Sequence, residues 1–134
     1  MAAERVRTDG SGNQVAFAPV TLRRSGKLVV LEVAARNVTP AGTGENKVNV
    51  PSMLIGLEAR FVDVTLVDPV HAKRYLVVQD SKESCLCTSF AGGLEVARGG
   101  TAVLTAYFPA PPADVQRLDV TVNKVGTFPA VPLT

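Results

Sequence analysis

The stretch GGTAVLTAYFPAPPADVQRLDVTV, residues 99–122, decides the fold class of this chain. Between residues 102 and 108 apolar side chains occupy every second position, which is typical of a strand buried on one face. The prolines of residues 109–112 end this strand, because proline has no backbone N–H to donate to a ladder. The run LDVTV, residues 118–122, alternates in the same way. Together the two runs predict an antiparallel pair near the end of the chain.

The run KLVVLEVAARN, residues 27–37, gives the strongest strand signal in the first half of the chain. The odd positions from 29 to 35 are all apolar, whereas the other face carries Glu32 and Arg36. Val30 makes that second face apolar at its start, as in a strand covered on both sides. The run therefore predicts a central strand.

Turn signals rich in Gly, Pro, Asn and Asp separate about seven or eight short strands along the chain. No stretch has the periodicity of a helix. Strands of this number bury their apolar faces best as two packed antiparallel sheets. The sequence therefore predicts an all-β fold, a β-sandwich of two antiparallel sheets, with a closed barrel as the structural alternative.

The domain organisation follows from the length and from the turn residues near the start. Residues 1–12 end in Asp9-Gly10 and Ser11-Gly12, and we expect them to form a flexible N-terminal leader. Residues 13–134 are enough for one domain with its own core. Its first strand is expected at the periphery, because Pro19 suits an edge position.

The charge balance excludes some classes of partner. The 134 residues include 14 Lys and Arg and 12 Asp and Glu, a net charge of +2, which is too balanced to indicate nucleic-acid binding. No run approaches the ~18 to 20 apolar residues of a membrane span, and the start lacks the apolar core of a signal peptide. Two interpretations stay open, a cytosolic protein or the mature part of an exported one. The polar, Gly-rich start favours export.

The pair Cys85 and Cys87, one residue apart, is the one local constellation that could carry chemistry. In a regular strand their Cα atoms would lie about 6.5 to 7 Å apart, near the limit for a disulfide, and a turn or bulge would relieve this. In an exported protein they would form a disulfide. The alternatives are free thiols or a small metal-binding or redox protein, in which Met53 and His71 complete a copper or zinc site.

His71 is the single histidine, and the sequence offers it neither an orienting partner nor a nucleophile. The pattern indicates an exposed loop histidine. The glycine pairs precede predicted strands, not helices, so no phosphate-binding loop is expected. We therefore expect a protein that is not an enzyme and that needs no cofactor.

The longest irregular stretch, residues 38–51, is a candidate interaction loop, since long connections in compact domains are often functional. A crossover between the two sheets is the alternative. The second candidate surface is the segment of residues 85–90. The candidate loop residues are Thr39, Asn46, Lys47 and Asn49.

The segments RRSGKLVVLEVAARN (residues 23–37) and LEVARGGTAVLTAYFPAPPADVQRLDVTV (residues 94–122) resemble the immunoglobulin-like domains of exported bacterial proteins. That group includes small secreted mycobacterial antigens and actinobacterial lipoprotein modules of unknown function. In its pattern a strand ends in Asn before a long loop, as at Asn37, and a Gly-rich approach precedes a strand ending in Phe-Pro. The final segment TFPAVPLT, residues 127–134, looks like a Pro-rich exit into a following domain.

The resemblance implies an immunoglobulin-like β-sandwich with a non-catalytic role outside the cytoplasm. Such a module is secreted or anchored in the cell envelope, and it contacts a protein partner or an adjoining envelope domain. The resemblance assigns no catalytic or ligand-binding residues. The expected mechanism of binding is the presentation of loops or of an exposed sheet edge.

Overall fold

The computed structural model of the chain describes residues 4–54, 60–82, 84–91 and 93–134. Within these residues the chain forms ten strands and one short helix, and all strand pairs are antiparallel. In chain order the elements are β1 (Arg5–Thr8), β2 (Gln14–Ser25), β3 (Leu28–Asn37), β4 (Lys47–Asn49), α1 (Pro51–Leu54), β5 (Val64–Asp68), β6 (Lys73–Leu76), β7 (Glu95–Ala97), β8 (Thr101–Pro109), β9 (Arg117–Val122) and β10 (Gly126–Pro132).

The strands form two four-stranded sheets and a small ribbon. The first sheet has the order β1-β2-β3-β8, the second has the order β10-β9-β5-β6, and β4 pairs with β7. The predicted all-β class with antiparallel sheets is confirmed. None of the helices in the described parts of the chain has the length and apolarity that a membrane crossing requires.

One hydrophobic core receives side chains from both four-stranded sheets. Phe17, Leu31 and Phe108 come from the first sheet, Leu66 and Phe128 from the second, and all five are at most 2% exposed. Each lies on the inward face of a strand whose neighbouring residues point outward, which is the period-two alternation of the sequence. The apolar positions of the alternating runs thus become the core.

Strand β3 lies at the centre of the first sheet, paired with β2 on one side and β8 on the other. The predicted central strand at residues 27–37 is confirmed. Strand β2 lies between β1 and β3, so it is not the outermost strand that was expected, but its described pairing with β1 ends at Phe17, two residues before Pro19. The register with β3 shifts between Pro19 and Thr21, leaving Val20 as an extra residue. The nitrogen of Pro19 belongs to the alternate set that faces the β1 side, beyond the described end of β1, so the missing N–H costs no described ladder hydrogen bond.

The N-terminal segment differs from the expected flexible leader, because Arg5–Thr8 forms β1 and pairs with β2. Its arginines also reach the second sheet. The Nε of Arg5 donates a hydrogen bond of 2.9 Å to the carbonyl oxygen of Thr127, and its guanidinium lies 5.6 Å from the centre of the Phe128 ring. These contacts join the β1 edge to β10 of the other sheet, and the sequence pattern gave no sign of them.

The predicted pairing of the two runs in residues 99–122 is wrong. The first run is β8, which pairs with β3, and the second is β9, which pairs with β5 and β10 in the other sheet. The proline-rich connection between them crosses from one sheet to the other. Arg24 holds this connection, because its guanidinium donates hydrogen bonds of 2.7–3.0 Å to three carbonyl oxygens, those of Pro111, Pro112 and Val115.

The C-terminal segment is part of the second sheet. Residues Gly126–Pro132 form β10 and pair with β9, so most of the segment TFPAVPLT belongs to the sheet. The backbone N–H of Thr134 donates to the carbonyl oxygen of Leu22 at 3.0 Å. The apolar positions of the run at residues 57–67 change alternation along its length, which predicts a bulge near residues 60–62. Residues 55–59 lie outside the described residues, and β5 begins at Val64.

We predict that Leu31→Ala destabilises the fold by about 2–5 kcal/mol, because it opens a cavity in the shared core. Leu31 is fully buried, whereas Leu76 is 57% exposed. The matched change Leu76→Ala should alter the free energy of unfolding by no more than about 0.5 kcal/mol. Urea denaturation of the original protein and of the two variants measures the free energies of unfolding. If both variants lost the same free energy of unfolding, the burial of Leu31 in the core would be contradicted.

Candidate functional site

Cys85 and Cys87 lie beside β8 and are paired as a disulfide, with their Cα atoms 5.3 Å apart. This separation is within the usual range of disulfides. The sequence also predicts a short strand at residues 85–90, but the structure has isolated bridges there, among them those that pair Cys85 with Gln79 and Cys87 with Ala106. The segment is therefore bent, and the bend brings the two Cα atoms closer than they would be in a regular strand.

Residues 85–88, which we call the cysteine strap, occupy part of the outer edge of β8. The carbonyl oxygen of Leu86 accepts a hydrogen bond of 2.9 Å from the N–H of Tyr107. The N–H of Thr88 donates to the carbonyl oxygen of Thr105 at 2.8 Å, and the N–H of Thr105 donates to the hydroxyl of Thr88 at 2.7 Å. The strap thus satisfies edge groups of β8 that β3 does not reach.

The strap has an apolar side and an exposed side. Cys85 and Cys87 pack against the hydrophobic core, whereas Leu86 between them is 48% exposed. The disulfide therefore fixes the two inward-facing residues of a segment that covers an edge strand.

The remainder of the β8 edge is open. After Thr88 the chain turns toward the core, where buried Phe90 packs edge-to-face on Phe61 at a ring separation of 6.4 Å. Backbone groups on one edge of a strand belong to alternate residues, so those of Thr101 and Val103 point the same way as those of Thr105. Among the described residues none donates to or accepts from these groups. We call Thr101–Val103 the open edge.

The candidate loop of residues 38–51 is tied closely to the body of the protein. Thr39 is buried, and its hydroxyl oxygen accepts a hydrogen bond of 2.9 Å from the N–H of Gln14. The guanidinium of Arg98 donates to the carbonyl oxygen of Thr39 at 2.7 Å and also to that of Pro40. Buried Asn37 donates to the carbonyl oxygen of Val96 at 2.9 Å. Thr39 therefore stabilises the loop and is not available to a partner.

The other three candidate loop residues lie on the surface. Asn46 is exposed, and its carbonyl oxygen accepts the N–H of Arg98 at 2.8 Å. Lys47 and Asn49 are exposed residues of β4, and the Asn49 side chain accepts the N–H of Leu94 at 2.9 Å. Lys47 and Asn49 belong to the ribbon that β4 forms with β7, and Asn46 directly precedes it.

The turn between β1 and β2 closes against this loop. The Asp9 carboxylate accepts hydrogen bonds from the N–H of Ser11, the N–H of Asn13 and the Asn13 side-chain amide, at 2.8–2.9 Å. The bond from the Asn13 side chain is the largest cause of the lowered pKa of Asp9. Gly44 sits against the same asparagine with φ of +57°, and an added Cβ would lie 2.5 Å from the Asn13 side-chain oxygen. Only glycine fits there.

The β5–β6 turn contains an arrangement that the sequence analysis missed. Asp68 ends β5 and is buried, and its Oδ1 accepts hydrogen bonds from the N–H groups of Val70 and His71 at 3.0 and 3.3 Å. Its Oδ2 lies 2.6 Å from Nδ1 of the His71 ring. The sequence signal is the spacing Asp-Pro-Val-His, which places a carboxylate three residues before a histidine inside a tight turn.

The other ring nitrogen of His71 faces the β8–β9 connection. Nε2 lies 3.8 Å from Oδ2 of Asp114, whose side chain is 72% exposed. Between them is a cleft of about 270 Å³, lined also by Val70, Gln116 and Arg117. We call this the His71 cleft. Asp114 belongs to the β8–β9 connection, which crosses between the sheets and which Arg24 holds through its hydrogen bond to Pro111. The path of this connection therefore places Asp114 near His71.

Burial and hydrogen bonding act in opposite directions on Asp68. Burial alone would raise its pKa, but the hydrogen bonds and the charge of His71, with a further bond from Val70, lower the pKa overall. The pKa of nearby Tyr75 is raised, chiefly by burial and then by the negative charge of Asp68, against a smaller opposing effect of Arg24. The lowered pKa keeps the Asp68 carboxyl ionised, so that it accepts hydrogen bonds from the β5–β6 turn.

The residues considered for a metal site with the cysteines are not assembled. Met53 is fully buried in the core, and the His71 ring is engaged by Asp68. Within the described ranges no group of three or more His, Cys, Asp or Glu side chains is arranged to hold a metal ion. The structure shows the cysteines joined to each other.

Comparison of the chain with known protein families, curated proteins and solved structures finds no match. The resemblance to exported immunoglobulin-like domains is therefore still a prediction from the sequence.

We predict that the Asp9 turn loses its stabilising effect in acid. A carboxyl with a folded pKa below its unfolded value contributes fully above the unfolded pKa of about 3.9, and the contribution disappears as pH falls through the folded pKa. Asp9→Asn should thus lower Tm by a constant amount at neutral pH, and the gap to the original protein should narrow below about pH 4. Thermal unfolding followed by circular dichroism measures the gap, and a gap that widens in acid would contradict the prediction.

We predict that Cys85→Ser with Cys87→Ser loosens the strap more than the fold. A loop this small contributes at most about 1.5 kcal/mol in the chain-entropy account. Amide exchange at Tyr107 and Thr88 should accelerate, since their hydrogen bonds join the strap to β8, whereas exchange in β3 should follow global unfolding. Intact mass without reductant gives the control, because the original protein should be lighter by two hydrogens than its reduced form. Unchanged exchange at both amides would contradict the role of the disulfide.

Proposed function

We propose that this chain is an immunoglobulin-like β-sandwich that serves as a non-catalytic binding or spacer module of a secreted or envelope protein of bacteria. Its support is the sequence resemblance together with two antiparallel sheets over one core. The strand order departs from that of antibody constant domains, in which the second and third strands lie in different sheets. Here β2 and β3 are neighbours, so the proposal concerns the architecture and not the connectivity.

The open edge is the single observation that carries a binding role. Thr101 and Val103 present two N–H and two C=O groups that no described residue engages, and Val103 is 48% exposed. Unpaired edge groups are templates for an added strand, and natural proteins usually cover or charge them. Here the strap and Val78 cover the edge only at Thr105 and Tyr107. The partner that fits is an extended segment of another protein.

The strap itself shows how such a segment would bind. The bridge between Cys87 and Ala106 is antiparallel, so a partner strand in the same direction would continue the strap along Val103 and Thr101. Four backbone hydrogen bonds at about 0.5–1.5 kcal/mol each would give modest affinity. Val103 shares the outward face with Ala34, which lies opposite it on β3. The partner residue above this pair would therefore be apolar.

The disulfide supports a location outside the cytoplasm, because small structural disulfides persist in oxidising compartments. It also weighs against the alternative of a copper or zinc protein using Cys85 and Cys87. Thiolates, not a disulfide, bind these metals. The cysteines are better explained by a structural role, in which their disulfide fixes the conformation of the strap.

We predict that Val103→Pro abolishes strand addition. Proline removes the outward N–H of Val103, and the β3 ladder survives because β8 bonds to β3 through its even-numbered residues. Val103→Thr keeps the N–H with a side chain of similar shape and is the matched control. The probe is a displayed library of short peptides that alternate apolar and polar residues. Peptides selected on the original protein should bind Val103→Pro at least tenfold more weakly and Val103→Thr nearly as well.

Two outcomes would overturn the proposed binding mode. One is that the selected peptides bind Val103→Pro and the original protein equally. The other is that no peptide binds the original protein with a Kd below about 1 mM. Circular dichroism of both variants must first show the spectrum of the original protein, so that lost binding reports the edge and not unfolding.

A further inference from the structure

The backbone groups of the open edge have a spacing that a second copy of the same edge can satisfy. In an antiparallel pair, opposite residues whose N–H and C=O groups face each other exchange two hydrogen bonds, and such pairs recur at every second residue. Thr101 and Val103 are the two residues of this kind on the open edge, and no described residue engages their outward groups. If two open edges meet about Ala102, Thr101 of each copy lies opposite Val103 of the other.

This pairing leaves none of the outward groups without a partner. Each copy supplies two N–H and two C=O groups, and the two facing residue pairs exchange four hydrogen bonds in total. The arrangement has a twofold axis, which is the commonest symmetry of protein dimers, and the same patch of both copies forms the interface. A second copy of the chain therefore already carries a strand that matches the open edge.

The residues that would meet carry no charge. Residues 99–105 read GGTAVLT. A symmetric pairing brings each residue close to its own counterpart, so a charge in this stretch would be repelled by the same charge of the second copy. Natural proteins protect edge strands from pairing with charged residues, especially Lys, or with proline, and the open edge has neither. Val103, which is 48% exposed, would have its apolar side chain partly covered by Thr101 of the other copy.

The surrounding structure permits this short pairing and limits its length. Strand β8 begins at Thr101, and the N–H of Gly99 and the carbonyl oxygen of Gly100 form their hydrogen bonds on the β3 side, away from the open edge. In the dimer these two glycines would lie beside Thr88 of the other copy, and neither has a side chain that could collide with the strap. Because Thr88 already occupies the outward groups of Thr105, the pairing is confined to the open edge.

We propose that the open edge binds the open edge of a second copy of this chain, as a twofold-symmetric antiparallel pair centred on Ala102. The inference rests on the open edge of the proposed function, and a second copy competes there with an extended segment of another protein. Pairing joins the two four-stranded sheets of the two copies into one continuous sheet. Only residues 101–103 of each copy pair, so the interface is well below the roughly 800 Å² per partner of stable complexes. The dimer is therefore reversible, with a Kd of about 0.1 to 1 mM.

The first test is sedimentation velocity of the untagged protein at concentrations from about 10 µM to about 1 mM. The original protein should be monomeric at the lowest concentration and substantially dimeric at the highest. Val103→Pro removes one outward N–H, so it should associate at least tenfold more weakly. Val103→Thr keeps this N–H and should associate as the original protein does. Circular dichroism verifies the fold of both variants.

The second test is a crosslink that reports the register. In the proposed dimer Ala102 of one copy faces Ala102 of the other as a non-hydrogen-bonded pair, with Cα atoms about 4.5 Å apart, which is within the range of a disulfide. With oxidised glutathione as the oxidant, Ala102→Cys should therefore form a covalent dimer. The control is Leu76→Cys, at a residue of β6 that is 57% exposed, which should stay monomeric. Intact mass without reductant distinguishes the two.

Three results would overturn the inference: a monomeric original protein at about 1 mM, equal association of Val103→Pro and the original protein, or no more covalent dimer from Ala102→Cys than from Leu76→Cys. Peptide binding is measured separately at about 10 µM, where the protein is monomeric. Peptide binding without a dimer overturns this inference and leaves the proposed function in place. A dimer with the expected crosslink but without peptide binding supports this inference and overturns the proposed binding of a foreign segment.

Discussion

The structure depends on strand β3, which is paired along both edges and buried along its inward face. Its position is fixed by Val29, Leu31 and Val33, all of which are fully buried in the shared core. Strand β3 pairs with β2 on one side and with β8 on the other, so β8 is an edge strand of the first sheet. The backbone N–H and C=O groups on the outer side of β8 therefore need hydrogen-bond partners that do not come from a regular strand. The cysteine strap and Val78 together bond to the outer groups of Thr105 and Tyr107. The open edge is what remains.

The sequence predicts the class of the fold well and its connections poorly. Alternation at β3, β8 and β9 marks inward and outward positions correctly, because burial of one face acts on each strand separately. Pairing depends on where connections lead, and a proline-rich segment fits a hairpin and a crossing between sheets equally. The bulge at Val20 has the same character. Only the extent of the neighbouring strand β1 shows that Pro19 lies beyond the paired part of this edge.

The candidate sites show the same limit. The cysteine pair is evident from the sequence, but its place on the β8 edge comes from contacts distant in the chain, such as that of Cys87 with Ala106. The pairing of Asp68 with His71 is local and could have been recognised from the turn spacing. The approach of Asp114 could not, since it depends on the connection that Arg24 holds. Thr39 was expected to be available to a partner because it is a polar loop residue, but it is buried and its hydroxyl accepts a hydrogen bond from Gln14.

Both long connections are fastened by an arginine that donates to backbone carbonyl oxygens, Arg24 at residues 111–115 and Arg98 at residues 39–45. A guanidinium stays protonated at every accessible pH, and a carbonyl oxygen has no charge to titrate or screen. Fastenings of this kind do not depend on the sequence of the loop they hold, since every residue supplies a carbonyl oxygen. A change of side chain in either loop therefore leaves the acceptors of these hydrogen bonds in place, and the path of the loop does not depend on its side-chain chemistry at those positions.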